Sequence, residues 1–467
     1  MFSKLLVANR GEIACRVLRT CRRLGIATVA VYSDADVEAP HVAMADEAVR
    51  LGPAPALESY LNASAILAAV AETGADAVHP GYGLLSERSD FASQVRDAGA
   101  VFIGPPPEAL DVFGDKVRAR VLARSVDVAP PPGVDVAMQH DDLEGLRGVA
   151  ARIGFPLLVK GVAAGGGIGM QIAADLEELV KAARACADRA RRAFGDERVY
   201  VEKYLADPRH IEVQVLCDRH GHAVALGERE CTVQRRYQKV IEETPSPAEF
   251  FQGPAGAARR QNLWDAALRV VRAVGYVGAG TVEFVADAQG NTYFLEVNAR
   301  LQVEHPVTEL VTGLDLVELQ LGIAAGQALP DEALRPTFNG HAVEARLYAE
   351  DPNRRFAPQP GRIERLRWPG DAPGIRIDAG VSQGGDVTPH YDPLLAKVVA
   401  HGQSRSEAIS RLEAALSATT LHLVGPRGPR TTNLQYLRRV LTSAPFASGT
   451  YAAPLGEQLA AASSSAP

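Results

Sequence analysis

The chain lacks paired cysteines, an excess of basic charge and any long apolar run. Its five cysteines, Cys15, Cys21, Cys186, Cys217 and Cys231, are odd in number, far apart and form no C-x-x-C pair. That excludes a zinc knuckle or a dithiol couple and points to a reducing compartment, the cytoplasm. No apolar stretch reaches the ~18 residues that span a bilayer. The opening MFSKLLVANRGEIA breaks its short LLVA run with Asn9 and Arg10, unlike a secretion signal. Against 49 Lys and Arg stand 56 Asp and Glu, a net charge of −7. No general attraction to nucleic acid or a membrane surface is therefore expected, and any bound anion must be held locally. Gly and Pro, 42 and 30 of 467 residues, lie near average usage and exclude a collagen-like or wholly disordered chain. A hydrophobic content of 47% suffices for a sizeable core. At roughly 150 residues per domain, two to four domains are expected.

What is present is rhythm. From residue 3 to 113, the apolar runs KLLVA, ATVAVYS, ADAVHP and AVFIG alternate with helical patterns at 12–24 and near 64–72. This predicts a parallel sheet with crossover helices. A helix follows Asp115 and Lys116. Beyond Pro130, Pro131 and Pro132, FPLLVKGVAAGGGIGMQIA reads as strand, glycine loop, strand, the pattern of a β-loop-β lid. A helix at 176–194 leads to three strand-like runs, VYVEKYL, HIEVQVLC and AVALGERE. The charge-dense stretch 228–243 follows a strand and reads, taken alone, as an exposed loop, or as part of a site if the right partners lie nearby, and 247–260 reads as a loop. A helix at 262–274 then precedes the strands GTVEFVA and TYFLEV. After 330, HAVEARLYAE, GRIERLRW, GIRIDAG and KVVAHG, with a helix at 406–418, suit a smaller β-rich unit. The closing AASSSAP is too small and polar to pack, which predicts a frayed tail.

The sharpest chemical signal is the stripe Glu296, Asn298, Arg300, Gln302 and Glu304, polar at every second position. In an extended chain this period places all five groups on one face. That face is either solvated or a site in which Glu and Asn supply hard oxygen ligands, Arg clamps an anion and the second Glu serves as a base. If GTVEFVA and TYFLEV pair through a turn centred between Gln289 and Gly290, Glu283 lies opposite Glu296, and a divalent cation would resolve their repulsion. A one-residue slip would send the two acids to opposite faces. The loop Ala163–Gly169 lacks the spacing of a Walker A motif. It is either a flexible linker or an amide cradle for phosphate with Lys160 at its edge, and Lys116 is a second candidate cation. His210 reads as a structural hydrogen-bonder or a ligand, and Arg346 as an ion-pair partner or an anion clamp. Asn9, Arg10, Glu12 and HPGYG at 79–83 sit where α/β sheets place ligand loops, or serve as turn chemistry.

ANRGEIA, HPGYG, GDK at 114–116, the glycine loop, EKYL, HIEVQV, QRRYQKVIEE, EVNARLQVEHPVTE and HAVEARLYAEDP occur in this order, and the ordered set resembles biotin carboxylase, an ATP-grasp enzyme. The likeness runs over about residues 2–450. It implies an α/β and α+β chain divided into an N-terminal Rossmann-like parallel sheet (1–113), an ATP-grasp domain (114–330, lid about 132–204), a β-rich C-terminal domain (331–450) and a tail (451–467). The implied activity is ATP-dependent carboxylation of biotin by bicarbonate through carboxyphosphate. Glu283, Glu296 and Asn298 would hold Mg²⁺ or Mn²⁺. Lys116, Lys160, Gly166, Gly167, His210 and Gln234 would hold ATP, with Glu202, Lys203 and Leu205 around adenine. Lys239, Arg300, Gln302 and the Val303 backbone would clamp bicarbonate, Glu304 would be the base, and Arg346 would stabilise the biotin anion.

Three departures stand out. Ala163, Ala164 and Ile168 replace members of a five-glycine run and its cation, Tyr237 stands where His or Asn is common, and LVGPRGPRTTNLQYL carries extra residues expected to lengthen a loop. No biotinylation site of the Met-Lys-Met type is present, so the carrier protein and carboxyltransferase are expected on other chains or domains. The acceptor reads as acetyl-CoA, another acyl-CoA or urea, and a homodimer is expected. The competing readings are a carboxylate–amine ligase of the ATP-grasp kind and an ATP-binding homologue of weakened activity.

Overall fold

A computed structural model describes every residue except 135–137, 163–169, 236, 371 and 465–467. At the N-terminus, β1 (Lys4–Val7), β2 (Ala27–Ser33), β3 (Glu47–Gly52), β4 (Ala77–His79) and β5 (Val101–Phe102) form a parallel sheet of order β3-β2-β1-β4-β5. The helix Gly11–Arg23 crosses from β1 to β2. Glu12 in its first turn and Arg22 and Arg23 in its last complement the helix dipole, while Ile13, Val17 and Leu18 face the core. The lid consists of β6 (Leu157–Gly161), β7 (Gln171–Ala173) and β8 (Val199–Lys203), antiparallel in the order β7-β6-β8. Its first two strands fall where the expected strands lie; the glycine loop between them, with Gly166 and Gly167, lies outside the described residues.

Eight antiparallel strands make the central sheet. β9 (Arg209–Cys217), β10 (Ala223–Arg235), β11 (Gln238–Thr244), β12 (Gly278–Ala286), β13 (Thr292–Asn298) and β14 (His341–Tyr348) are ordered β13-β12-β9-β10-β11-β14. Leu394–Gly402 and Ile375–Ala379 extend the sheet beyond β14. The sheet therefore crosses the expected boundary at 330, because three strands of the C-terminal third complete it. A separate four-stranded sheet contains Gly361–Arg367 and Thr420–Gly425.

Several expectations are corrected. The stretch 228–243 is no exposed loop. It supplies most of β10 and β11, with Glu228, Arg229, Glu230, Glu242 and Glu243 buried. Composition misread burial there because the charges answer one another across strands: Arg229 donates to Glu212 at 2.6 Å, to Gln214 at 2.7 Å and to Thr281 at 2.9 Å. The loop expected to reach residue 260 ends early, since the helix Gly253–Arg272 starts with Pro254 in its first turn. The extra residues near 425 form a hairpin of Thr420–Gly425 with Gly428–Arg430, not a longer loop. Of the closing AASSSAP, Ala461–Ser464 continue a helix and 465–467 lie outside the described residues. The helix Leu455–Ser464 packs Leu455 and Ala460 into the C-terminal core, and the preceding Tyr451 is buried.

Tyr451 anchors this end of the chain by donating to Glu243 at 2.5 Å. His341 meets the same carboxylate at 2.7 Å and Arg405 at 2.6 Å. Burial disfavours the charge on Glu243, but His341 and Arg405 outweigh it and bring the group down to about 2. A depressed carboxyl stabilises the fold above its unfolded value and loses that contribution as pH falls through its folded value, here from 4.5 toward about 2. Glu243→Gln is expected to cost about 3 kcal/mol at pH 7, a deficit that shrinks in that acid window. Thermal melts of both proteins at pH 7 and pH 3 check this; an equal deficit at both refutes the linkage.

Candidate active site

The site grows from one row of acids across three strands. Glu212 on β9 is the register partner of Glu283 on β12, which in turn pairs with Glu296 on β13, so the three carboxylates share a face. The expected Glu283–Glu296 pairing occurs by a different route. Near the turn Phe284 pairs with Phe294, one residue out of the expected register, and a bulge at Leu295 restores it.

The polar stripe is corrected in the same way. β13 ends at Asn298, residues 299–303 leave the sheet, and Glu304 is the N-cap of the helix His305–Thr312. Loop curvature, not strand alternation, brings the five polar groups to one cleft. Asn298 Nδ2 and Gln302 Nε2 donate to Glu283 Oε1 at 2.8 and 3.0 Å. Arg300 donates to Asn298 Oδ1 at 2.8 Å and to Gln302 Oε1 at 2.6 Å. From the N-terminal unit, Glu87 holds Arg300 Nε at 3.1 Å.

Cations face this acidic row. Lys239 Nζ on β11 lies 2.6 Å from Glu304, 2.9 Å from Glu283 and 2.5 Å from Glu212. Arg346 on β14 donates to the other oxygen of Glu304 at 2.9 Å and meets Glu242 at 2.5 Å. His210 Nε2 lies 3.2 Å from Glu283, and Lys116, first in the helix Lys116–Ser125, is ion-paired with Glu296. Together they line a cleft of about 470 Å³, along with Lys160, Gln234 and Val303.

Charge in this cleft is set by mutual compensation. Burial raises Glu283 and Glu304, but Lys239 with His210 on the first, and Lys239 with Arg346 and Arg229 on the second, hold both below the usual carboxylate range. Burial opposes protonation of His210, yet Glu283 and Glu212 lift it to about 9. Glu242 goes the other way, raised to about 7 by burial and by the charge of Glu304.

The donor set at Glu283, Glu296 and Asn298 suits a hard divalent cation: two carboxylates and an amide, neutralised here by lysines, with no soft ligand among them. Three residues expected around adenine do not line the cleft. Glu202 is buried between Arg120, at 2.9 Å, and Lys160. Lys203 donates to the carbonyls of Gly154 and Phe155 at 3.1 and 2.8 Å, and Leu205 is half-buried after β8. Glu212, Arg229 and Glu87 were not singled out from sequence. The alternation in HIEVQV, which places His210 and Glu212 on one face, was the available signal for Glu212; nothing local marks Glu87.

Three family models match the chain: "Biotin carboxylase, N-terminal domain" over residues 1–110, "Carbamoyl-phosphate synthase L chain, ATP binding domain" over 115–332, and "Biotin carboxylase C-terminal domain" over 344–455. Biotin carboxylase 2 of Bacillus subtilis is 50% identical over 416 residues, covering 89% of this chain and 91% of that one. The chain belongs to the biotin carboxylase family. A biotin carboxylase is an ATP-dependent ligase, and ATP, Mg²⁺ and biotin are the cofactors of this enzyme family. The mitochondrial propionyl-CoA carboxylase alpha chain of Homo sapiens is 46% identical over 96% of this chain, which spans 60% of that protein's length. Among solved structures, the biotin carboxylase domain dimer of Hydrogenobacter thermophilus 2-oxoglutarate carboxylase, in complex with MgADP, ADP and bicarbonate, superposes with a TM-score of 0.91 at 40% identity, covering 98% of each chain. Among the described residues no helix is long and apolar enough to cross a membrane.

Proposed function

We propose that the cleft carries out ATP-dependent carboxylation of biotin by bicarbonate, as the first half-reaction of an acyl-CoA carboxylase. The supporting observation is Glu304, whose two carboxylate oxygens are held by different cations, Oε1 by Lys239 and Oε2 by Arg346. Such a group is ionised at neutral pH and oriented to accept a proton. Lys239, Arg300 and Gln302 would bind bicarbonate, and an anion that drew Lys239 and Arg346 away would raise the basicity of Glu304 when it is needed. Lys116, Lys160 and His210 would hold the nucleotide phosphates, with Gln234 beside them.

A divalent ion at Glu283, Glu296 and Asn298 would supply charge neutralisation on the phosphates. Glu304 takes the bicarbonate O–H proton as a bicarbonate oxygen bonds to the γ-phosphorus and the bond to the ADP oxygen breaks. Carboxyphosphate then splits into CO₂ and phosphate, phosphate takes the ureido N–H proton, and the nitrogen bonds to CO₂. Arg346 would steady the ureido oxygen as it gains charge.

The expected result is ADP release that needs both bicarbonate and free biotin; release driven by an amino acid without bicarbonate would instead mark a carboxylate–amine ligase. Glu296→Gln should raise the Mg²⁺ concentration for half-maximal activity by about tenfold or more, read by Mg²⁺ titration at saturating ATP; an unchanged requirement removes Glu296 from the metal site. An acyl-CoA is the acceptor we favour over urea, supported by the likeness to propionyl-CoA carboxylase alpha chains. The reading includes a carrier protein and a carboxyltransferase outside this sequence, a homodimer, and a cytoplasmic setting that suits five free, buried cysteines.

A further inference from the structure

The anion loop 299–304 belongs neither to the sheet nor to the helix that follows, so its geometry must be held by contacts from elsewhere. Two cations on neighbouring strands grip consecutive residues of it. Arg346 on β14 and Lys397 on the strand Leu394–Gly402 are register partners, so their side chains stand on the same face. Arg346 holds the Glu304 carboxylate, and Lys397 Nζ donates to the carbonyl of Val303 at 2.9 Å.

Lys397 is fully buried, where an ammonium is retained only if paired. Its counter-charge comes from the far end of the sequence. Glu12, in the first turn of the helix Gly11–Arg23, lies 2.8 Å away through Oε1, whereas Asp378 is 3.9 Å distant. The other oxygen of Glu12 accepts from the hydroxyl of Tyr82, in the HPGYG turn, at 2.6 Å. A chain Tyr82–Glu12–Lys397–Val303 thus ties the N-terminal unit and the last strands of the central sheet to the loop that carries Arg300, Gln302 and Glu304.

We propose that Lys397, with Glu12 as its counter-ion, is a positioning residue that sets the anion loop for bicarbonate. The inference rests on the biotin carboxylation reading above. Without Lys397 the Val303 carbonyl and the buried Glu12 both lose the ammonium that meets them. A displacement of the loop by a fraction of an ångström would then misplace Arg300 and Glu304, which bind and deprotonate bicarbonate. The lid lysine Lys160 and Lys116 of the helix Lys116–Ser125 would stay where they are.

The test is steady-state bicarbonate-dependent ADP release with free biotin for the unsubstituted protein, Lys397→Met, the isosteric Glu12→Gln and the double variant. Lys397→Met should raise the bicarbonate KM about tenfold or more while the ATP KM stays within about twofold. Glu12→Gln should shift in the same direction, and the double variant should be no worse than Lys397→Met alone, because both changes break one linkage. A bicarbonate KM within about twofold of the unsubstituted value in both single variants overturns the proposal, as does an ATP KM that rises in parallel, the mark of a general loss of packing. If Lys397→Met does not fold, Glu12→Gln decides by the same two constants. Absence of bicarbonate-dependent release from the unsubstituted protein overturns the reading itself; normal release with unshifted variant constants overturns only the role of Lys397.

Discussion

Glu304→Gln is expected to lower bicarbonate-dependent ATP cleavage by about 100-fold or more, the usual scale for removing a general base. The amide keeps the shape of the side chain but cannot accept the proton. It also turns a charged acceptor for Lys239 and Arg346 into a neutral one. ATP binding should persist, because Lys116 and Lys160, the phosphate cations we assign, do not touch Glu304. Stopped-time ADP assays with and without bicarbonate, alongside nucleotide titration, separate these outcomes. Full bicarbonate-dependent turnover in the variant would end the assignment of Glu304 as base.

Lys239→Met should cost more, in both stability and rate. Lys239 Nζ is within hydrogen-bond reach of three carboxylates from three elements, Glu212, Glu283 and Glu304. Removing one partner from a buried ion cluster leaves uncompensated charge, a loss of about 3–5 kcal/mol. The sign of the pH effect follows. Without the ammonium these acids lose the cation that lowers all three and rise from their native values, so the variant is penalised most above that raised range and recovers as pH falls and they take up protons. Melting curves at pH 7 and pH 5 should show the deficit narrowing in acid. A deficit of equal size at both would mean that Lys239 acts through packing alone. Activity should be lost at every pH: above that range the bicarbonate clamp lacks its ammonium, and below it protonated acids cannot serve as base or metal ligand.

The arrangement of alternating strands and helices was legible in the sequence because hydrophobic period reports burial directly. The helices at 11–23 and 176–194 fall where the pattern placed them. Charge density misled where burial and charge coincide. The segment 228–243 looked solvated because the partners that neutralise it lie outside it, Glu212 on the preceding strand and Arg405 and His341 far along the chain. Ahead of the polar closing run, the buried Tyr451 and Leu455 seat the helix Leu455–Ser464, a contact that the composition of AASSSAP does not report.

The composition of the site was readable too: the sequence alone determined which chemical groups were available, since Glu283, Glu296, Asn298, Arg300, Gln302 and Glu304 all fall within residues 283–304. Their arrangement was not. A period-two rule placed the stripe on one strand, and the correct acid pairing came from an incorrect turn centre, because a bulge at Leu295 is invisible to alternation. Only the tertiary structure decided that Lys239 sits among three acids, that Glu87 reaches Arg300, and that Glu12 balances Lys397 across 385 positions of chain. Local pattern follows from the polymer's own periodicity; which charges meet depends on how sheets and helices stack, and no short window of sequence carries that information.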